Sequence, residues 1–207
     1  MTKHLPLYLL HDIKNIDREK HINKIFQTEN INTYINVTEF NEHDTSYDVY
    51  LDHFRANILD FSYRTENISP PYIHFSDYTL SANQVSMCMK YKWALSHFWQ
   101  SSHPVCVILP DNVHLENNFV NNLNAAVSQA PSGWDLINIS NKSTKPSSQN
   151  IENVTGLVWS RIAAGKILGA WQHYKICMKI EQELGFWFKQ TALQVFDTPT
   201  PLVTCNT

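Results

Sequence analysis

The sequence predicts a single α/β domain over residues 1–207, and three observations carry that expectation. The chain opens on strand, helix, strand: an apolar run Leu5–Leu10, a helical pattern with Ile22, Ile25 and Phe26 on one side, and a second apolar stretch Ile31–Val37. Val105–Leu109 is five apolar residues in a row between Pro104 and Pro110, which suits a central strand buried on both faces. The length, 207 residues with 43% apolar, is enough for one packed core.

The elements follow in order. Asp17 is the expected N-cap of the first helix. Tyr50, Leu51, Phe54, Ile58 and Leu59 suggest a helix, and Pro70-Pro71 breaks the chain after it. Ser81 is positioned to cap a long helix with Val85, Cys88, Met89, Leu95, Phe98 and Trp99 on a wide apolar face. After the central strand, Phe119, Val120, Leu123, Ala126 and Val127 form a clean helical stripe. Trp134–Ile139 reads as a strand, and the polar stretch Asn141–Thr155 as a mobile loop. A short strand closes at Val158, and Ser160 caps a helix running through Trp171. The last helix aligns Ile176, Ile180, Leu184, Trp187 and Phe188; Ala192–Phe196 is the final strand, followed by an extended tail Pro199–Val203.

Composition removes several classes. There are 5 Gly beside 20 Asn. Gly133, Gly156, Gly165, Gly169 and Gly185 are too scattered for a dinucleotide fingerprint or a phosphate-cradling loop. A net charge of −3 implies no basic face, so no nucleic-acid partner is expected. Cys88, Cys106, Cys177 and Cys205 make neither a disulfide framework nor a zinc pattern. No apolar run reaches the ~20 residues of a membrane helix, which leaves only peripheral membrane contact open. A cytoplasmic protein is the expectation.

In open α/β sheets, ligands sit beyond the carboxyl ends of the strands. Asp111 is the residue just past the best-buried strand. A carboxylate there can hold a divalent metal, although Pro110-Asp111-Asn112 is also ordinary turn chemistry.

A set of short motifs, in order, resembles glycosyltransferase family 25, which includes lipopolysaccharide and lipooligosaccharide galactosyltransferases. They are Leu80-Ser81 with Gln84-Val85-Ser86, Lys90-Tyr91, Val107–Val113, Phe119 with Leu123, and Trp134-Asp135. The opening Leu7–Leu10 with Asp17-Arg18 is similar too. So are Ser160-Arg161 with Ala163 or Ala164 and Leu168, Ile180–Leu184, and Pro201-Leu202-Val203. The resemblance implies a GT-A fold, a Rossmann-like mixed sheet flanked by helices, that binds a nucleotide sugar with Mn²⁺. It implies transfer of a hexose, galactose from UDP-galactose, to a saccharide or glycolipid acceptor in lipopolysaccharide-type surface glycan.

On that resemblance, Asp111 and Asn112 are the metal ligands, with Asp111 also meeting the diphosphate. Arg18 meets the nucleotide or makes a surface ion pair. Lys90 approaches a phosphate or snorkels from its helix. Glu181 and Glu183 lie at opposite edges of their helix stripe, each either a solvated flank or a catalytic base or acceptor contact. The family pattern is altered at its charged positions. Pro110-Asp111-Asn112 stands for Glu-Asp-Asp, Gln84 for Glu, Tyr91 for His, and Glu181 for Asp. An inactive member serving as a glycan- or nucleotide-binding scaffold is therefore the alternative.

Overall fold

The computed structural model describes residues 5–40, 82–140, 155–173 and 179–205. The readings on 41–81, including the helix at Tyr50–Leu59 and the Ser81 cap, lie outside the described residues. So do 141–154 of the expected loop, and Ile176 and Cys177.

The described chain runs β1 (Leu7–Leu10), α1 (Ile16–Thr28), β2 (Ile35–Val37), α2 (Ala82–Gln100), β3 (Val105–Pro110) and β4 (Val113–Leu115). It continues through α3 (Phe119–Gln129), β5 (Leu136–Asn138), β6 (Leu157–Ser160), α4 (Arg161–His173), α5 (Ile180–Gln190), β7 (Val195–Asp197) and β8 (Val203–Cys205). A six-stranded sheet has the order β2-β1-β3-β6-β5-β7. Its neighbours pair in parallel except at β6, which runs antiparallel to both β3 and β5. β4 and β8 form a separate antiparallel pair.

Successive side chains on a strand point to opposite faces, so each continuous apolar strand feeds two cores. Tyr8, Leu10, Cys106, Ile108 and Trp159 join one cluster with α2, α4 and α5. Leu7, Leu9, Val107, Leu109 and Val158 join the other with α1, α3 and the β4–β8 pair. The result is a helix–sheet–helix sandwich. The buried run Val105–Pro110 is its centre, paired with β1 on one side and β6 on the other.

Helix ends show which local chemistry prevails. Ser160 Oγ accepts the Ala163 amide at 3.1 Å, as a cap should. Asn15, not Asp17, caps α1: its side chain accepts the Arg18 amide, and Asp17 lies inside the first turn. At α3, Asn118 provides no side-chain cap, and Glu29 accepts the amides of Asn118 and Phe119 instead.

Three boundaries shift. Of Ile31–Val37 only Ile35–Val37 pairs with β1, while Ile31 and Tyr34 pack against the second core. The strand expected over Ala192–Phe196 is Val195–Asp197, because Ala192 takes a left-handed turn at φ 49°. The tail ends in a true strand, β8, whose partner β4 follows the Asp111 turn.

Candidate functional site

The sheet order places a topological switch between β1 and β3. The β1–α1 segment leads to β2 on one side, and the chain returns through α2 to β3 on the other. The crevice beyond two such strands is where open α/β sheets take ligands. His11 follows β1 there and Asp111 follows β3. The Asp111 amide donates to the Leu10 carbonyl at 3.1 Å, which holds the two strand ends together.

Asp111 is 4% exposed and lies at the middle of a polar cluster. His11 Nδ1–H donates to its Oδ2 at 2.9 Å, and the Asp12 amide donates to the same oxygen at 3.3 Å. Arg18, from the first turn of α1, donates from a guanidinium nitrogen to Oδ1 at 3.2 Å. The carboxylate neighbour assigns the proton of His11 to Nδ1. His11 Nε2 is buried and has no hydrogen-bond partner among the described residues. Half of the Arg18 side chain is exposed. Lys90, from α2, is buried and donates from Nζ to the His11 carbonyl at 2.5 Å.

A cleft of about 150 Å³ flanks this cluster, lined by Tyr91, Pro110, Asn112, Thr155, Glu181 and Cys205. Thr155 Oγ1 and Cys205 Sγ are 3.2 Å apart on its wall. Tyr91 is fully packed. Burial first, then the Glu181 charge and Cys106, push its hydroxyl well above the ordinary tyrosine range, so it stays protonated.

The structure therefore brings Arg18, Asp111 and Lys90 to one strand-end cluster, and Asn112 and Glu181 to the adjoining cleft. Glu183 is placed differently, inside the core. Glu183 is completely buried and accepts the Trp187 indole N–H at 3.0 Å, one helical turn on. It is not the solvated flank that the helix stripe suggested, and it does not line the cleft. Lys90 is likewise not a snorkelling surface lysine but an internal tie from α2 to β1. Trp159 is fully buried against Phe188. Asp135 is held by Lys166 Nζ and the Gln194 amide, both at 3.0 Å.

His11 and Asp12 were missed by the sequence reading. The signal was available: they follow the Leu7–Leu10 strand as Asp111 follows Val105–Pro110. Asn138 and Asp197 lie at the same edge, as the last residues of β5 and β7, joined at 2.9 Å through the Asn138 amide.

Manganese is the cation that the family resemblance implies, and the described residues do not fit it. A hard divalent cation takes about six oxygen ligands. Both Asp111 oxygens already accept donors, one of them a guanidinium cation. Asn112 is neutral and lines the cleft with residues of α2 and α5, whereas the partners of Asp111 come from α1 and the end of β1. Pro110 brings no side-chain ligand. Among the described residues, His, Cys, Asp and Glu nowhere gather in threes suited to a metal.

The fold belongs to the mixed α/β, GT-A-like class. At the level of particular structures, the chain is similar to a crystal structure of a glycosyltransferase involved in the glycosylation of the major capsid of PBCV-1. That match has a TM-score of 0.50 and 7% identity, and covers 97% of this chain and 93% of that one. Mouse xyloside xylosyltransferase 1 matches with a TM-score of 0.45 at 8% identity, over 94% of this chain and 71% of that one. An active-site variant of LgtC matches with a TM-score of 0.44 at 10% identity, over 94% and 72%. At these identities the likeness is one of fold. No family model and no curated protein sequence matches the chain.

Proposed function

We propose that this chain is a glycosyltransferase that moves a hexose, galactose, from a UDP-sugar to a saccharide acceptor of lipopolysaccharide-type surface glycan. One observation carries the reading. A charged cluster built on Asp111 sits at the β1/β3 switch of a GT-A-like sheet, beside a cleft that holds a carboxylate, Glu181. The diphosphate lies at the cluster, where the outward N–H groups of Arg18 meet it. The sugar and the acceptor hydroxyl occupy the cleft. Glu181 takes the acceptor proton as the new glycosidic bond forms and the bond to the diphosphate breaks. Tyr91, held protonated, is a hydrogen-bond donor at the base of that cleft.

The test is a thermal-shift panel of nucleotide sugars followed by a transfer assay. UDP-galactose should raise the melting temperature. Glu181→Gln should keep that shift and lose about 10²-fold or more in transfer rate. No shift with any nucleotide sugar sinks the proposal; binding without turnover in the parent chain establishes the scaffold alternative.

A further inference from the structure

We infer that this chain binds its nucleotide diphosphate without a divalent cation, Arg18 supplying the positive charge and the Asp111–His11 pair acting to position it. The inference rests on the donor reading above and concerns how that donor is held.

The argument starts from what Asp111 touches. A carboxylate that serves a metal must present free oxygen lone pairs to it. Here Oδ2 accepts the His11 ring at 2.9 Å and the Asp12 amide at 3.3 Å, while Oδ1 accepts Arg18 at 3.2 Å and keeps its one remaining lone pair beside that guanidinium. A dication entering this carboxylate would have to displace Arg18 or sit against its like charge. The next residue, Asn112, lines the adjoining cleft. Asp111 is the carboxylate that anchors a cation of the protein itself.

Arg18 has the properties the substitution needs. Its guanidinium offers five N–H donors in a plane that matches phosphate oxygens two at a time. Its side chain donates to Asp111 Oδ1, and half of it is exposed at the mouth of the crevice. Its backbone amide is fixed by the Asn15 cap, so the side chain starts from a rigid first turn. Behind it, Lys90 adds a second buried positive charge on the His11 carbonyl. His11, clamped from both sides, sets the orientation of Asp111, and Asp111 sets that of the guanidinium.

The test titrates UDP into the full chain by calorimetry in EDTA and again in millimolar Mn²⁺, with Mn²⁺ binding followed separately by electron paramagnetic resonance. The expected result is a Kd within twofold between the two buffers and an undiminished free-Mn²⁺ signal. Arg18→Gln should weaken UDP at least tenfold in both buffers, with Arg18→Lys recovering part of the loss. Asp111→Asn should weaken it equally in both. If Asp111→Asn fails to fold, the half-exposed Arg18 variants still decide the matter. A tenfold loss of UDP affinity in EDTA overturns this inference and leaves the glycosyltransferase reading standing. So does bound Mn²⁺ that disappears in Asp111→Asn. No UDP binding in either buffer overturns both.

Discussion

The two ends of the central sheet use charge in opposite ways. At the amino ends of the parallel strands, Lys166 and the Gln194 amide converge on Asp135. Arg161 closes α2 by donating to the carbonyls of Trp99 and Ser101, with its guanidinium 5.3 Å from the Trp99 ring centroid. Those contacts join helix to strand or end a helix, and they complete the packing. At the carboxyl ends, Asp111 gathers a comparable set of donors, yet the cluster keeps surplus capacity: a half-exposed guanidinium and a buried His11 Nε2 with no partner among the described residues. The amino end has its own partly exposed cation, Lys166, and its own unpartnered indole, Trp159 Nε1, among the described residues; what sets the carboxyl end apart is the cleft beside it. Unsatisfied polar capacity beside a cleft, more than charge itself, marks the functional end.

Substitutions can test that contrast. Asp111→Ala should have the largest effect, because it strands His11 Nδ1–H and Arg18 together. A loss of about 3 kcal/mol in urea unfolding is expected, with UDP binding lost as well. Asp135→Ala should cost about 2 kcal/mol for the Lys166 and Gln194 contacts but leave the UDP affinity of the folded chain unchanged. Equal damage to binding from both variants would erase the distinction between the two ends.

Gly156 probes the backing of the site. A Cβ there would lie 2.5 Å from Val203 Cγ2 and 2.9 Å from Ile139 Cγ1. Gly156→Ala should cost about 1–2 kcal/mol by forcing β8 outward, measurable as a lower melting temperature.

The smallest effect is a pH dependence at Asp197. Burial raises its carboxyl above the ordinary range, against a lowering contribution from the Asn138 amide. The folded chain then keeps a proton that the unfolded chain has released. Stability from this group is complete below the unfolded pKa of about 3.9 and is lost as pH rises through the raised folded value. Asp197→Asn should flatten that decline in unfolding free energy measured from about pH 4 upward.

The fold was legible where burial is continuous or periodic. Val105–Leu109 and Leu7–Leu10 announce strands because both of their faces are covered, and the Phe119–Val127 stripe announces α3 because only one is. β4 and β8 escaped notice: three residues hold no period, and their pairing joins Val113 to Cys205 across the chain. The candidate site was legible one residue at a time. Asp111 could be found from its place after a strand. Its link to His11 spans 100 positions, and no spacing rule reports such a contact. Glu183 was open to two readings, a solvated flank or a catalytic carboxylate, and its burial removes the first; Trp187 at i+4 offered an indole N–H on the same helix face.

The β4–β8 pairing also has a consequence for the order of assembly. The turn carrying Asp111 and Asn112 runs straight into β4, and β4 is hydrogen-bonded to the last described strand of the chain. Closing so long a loop is entropically slow compared with forming α1 or α3. During synthesis, β1 and β3 can pair well before Val203–Cys205 has been made. The crevice between them then has its floor before its wall, which comes only when the Val203–Cys205 strand pairs with β4.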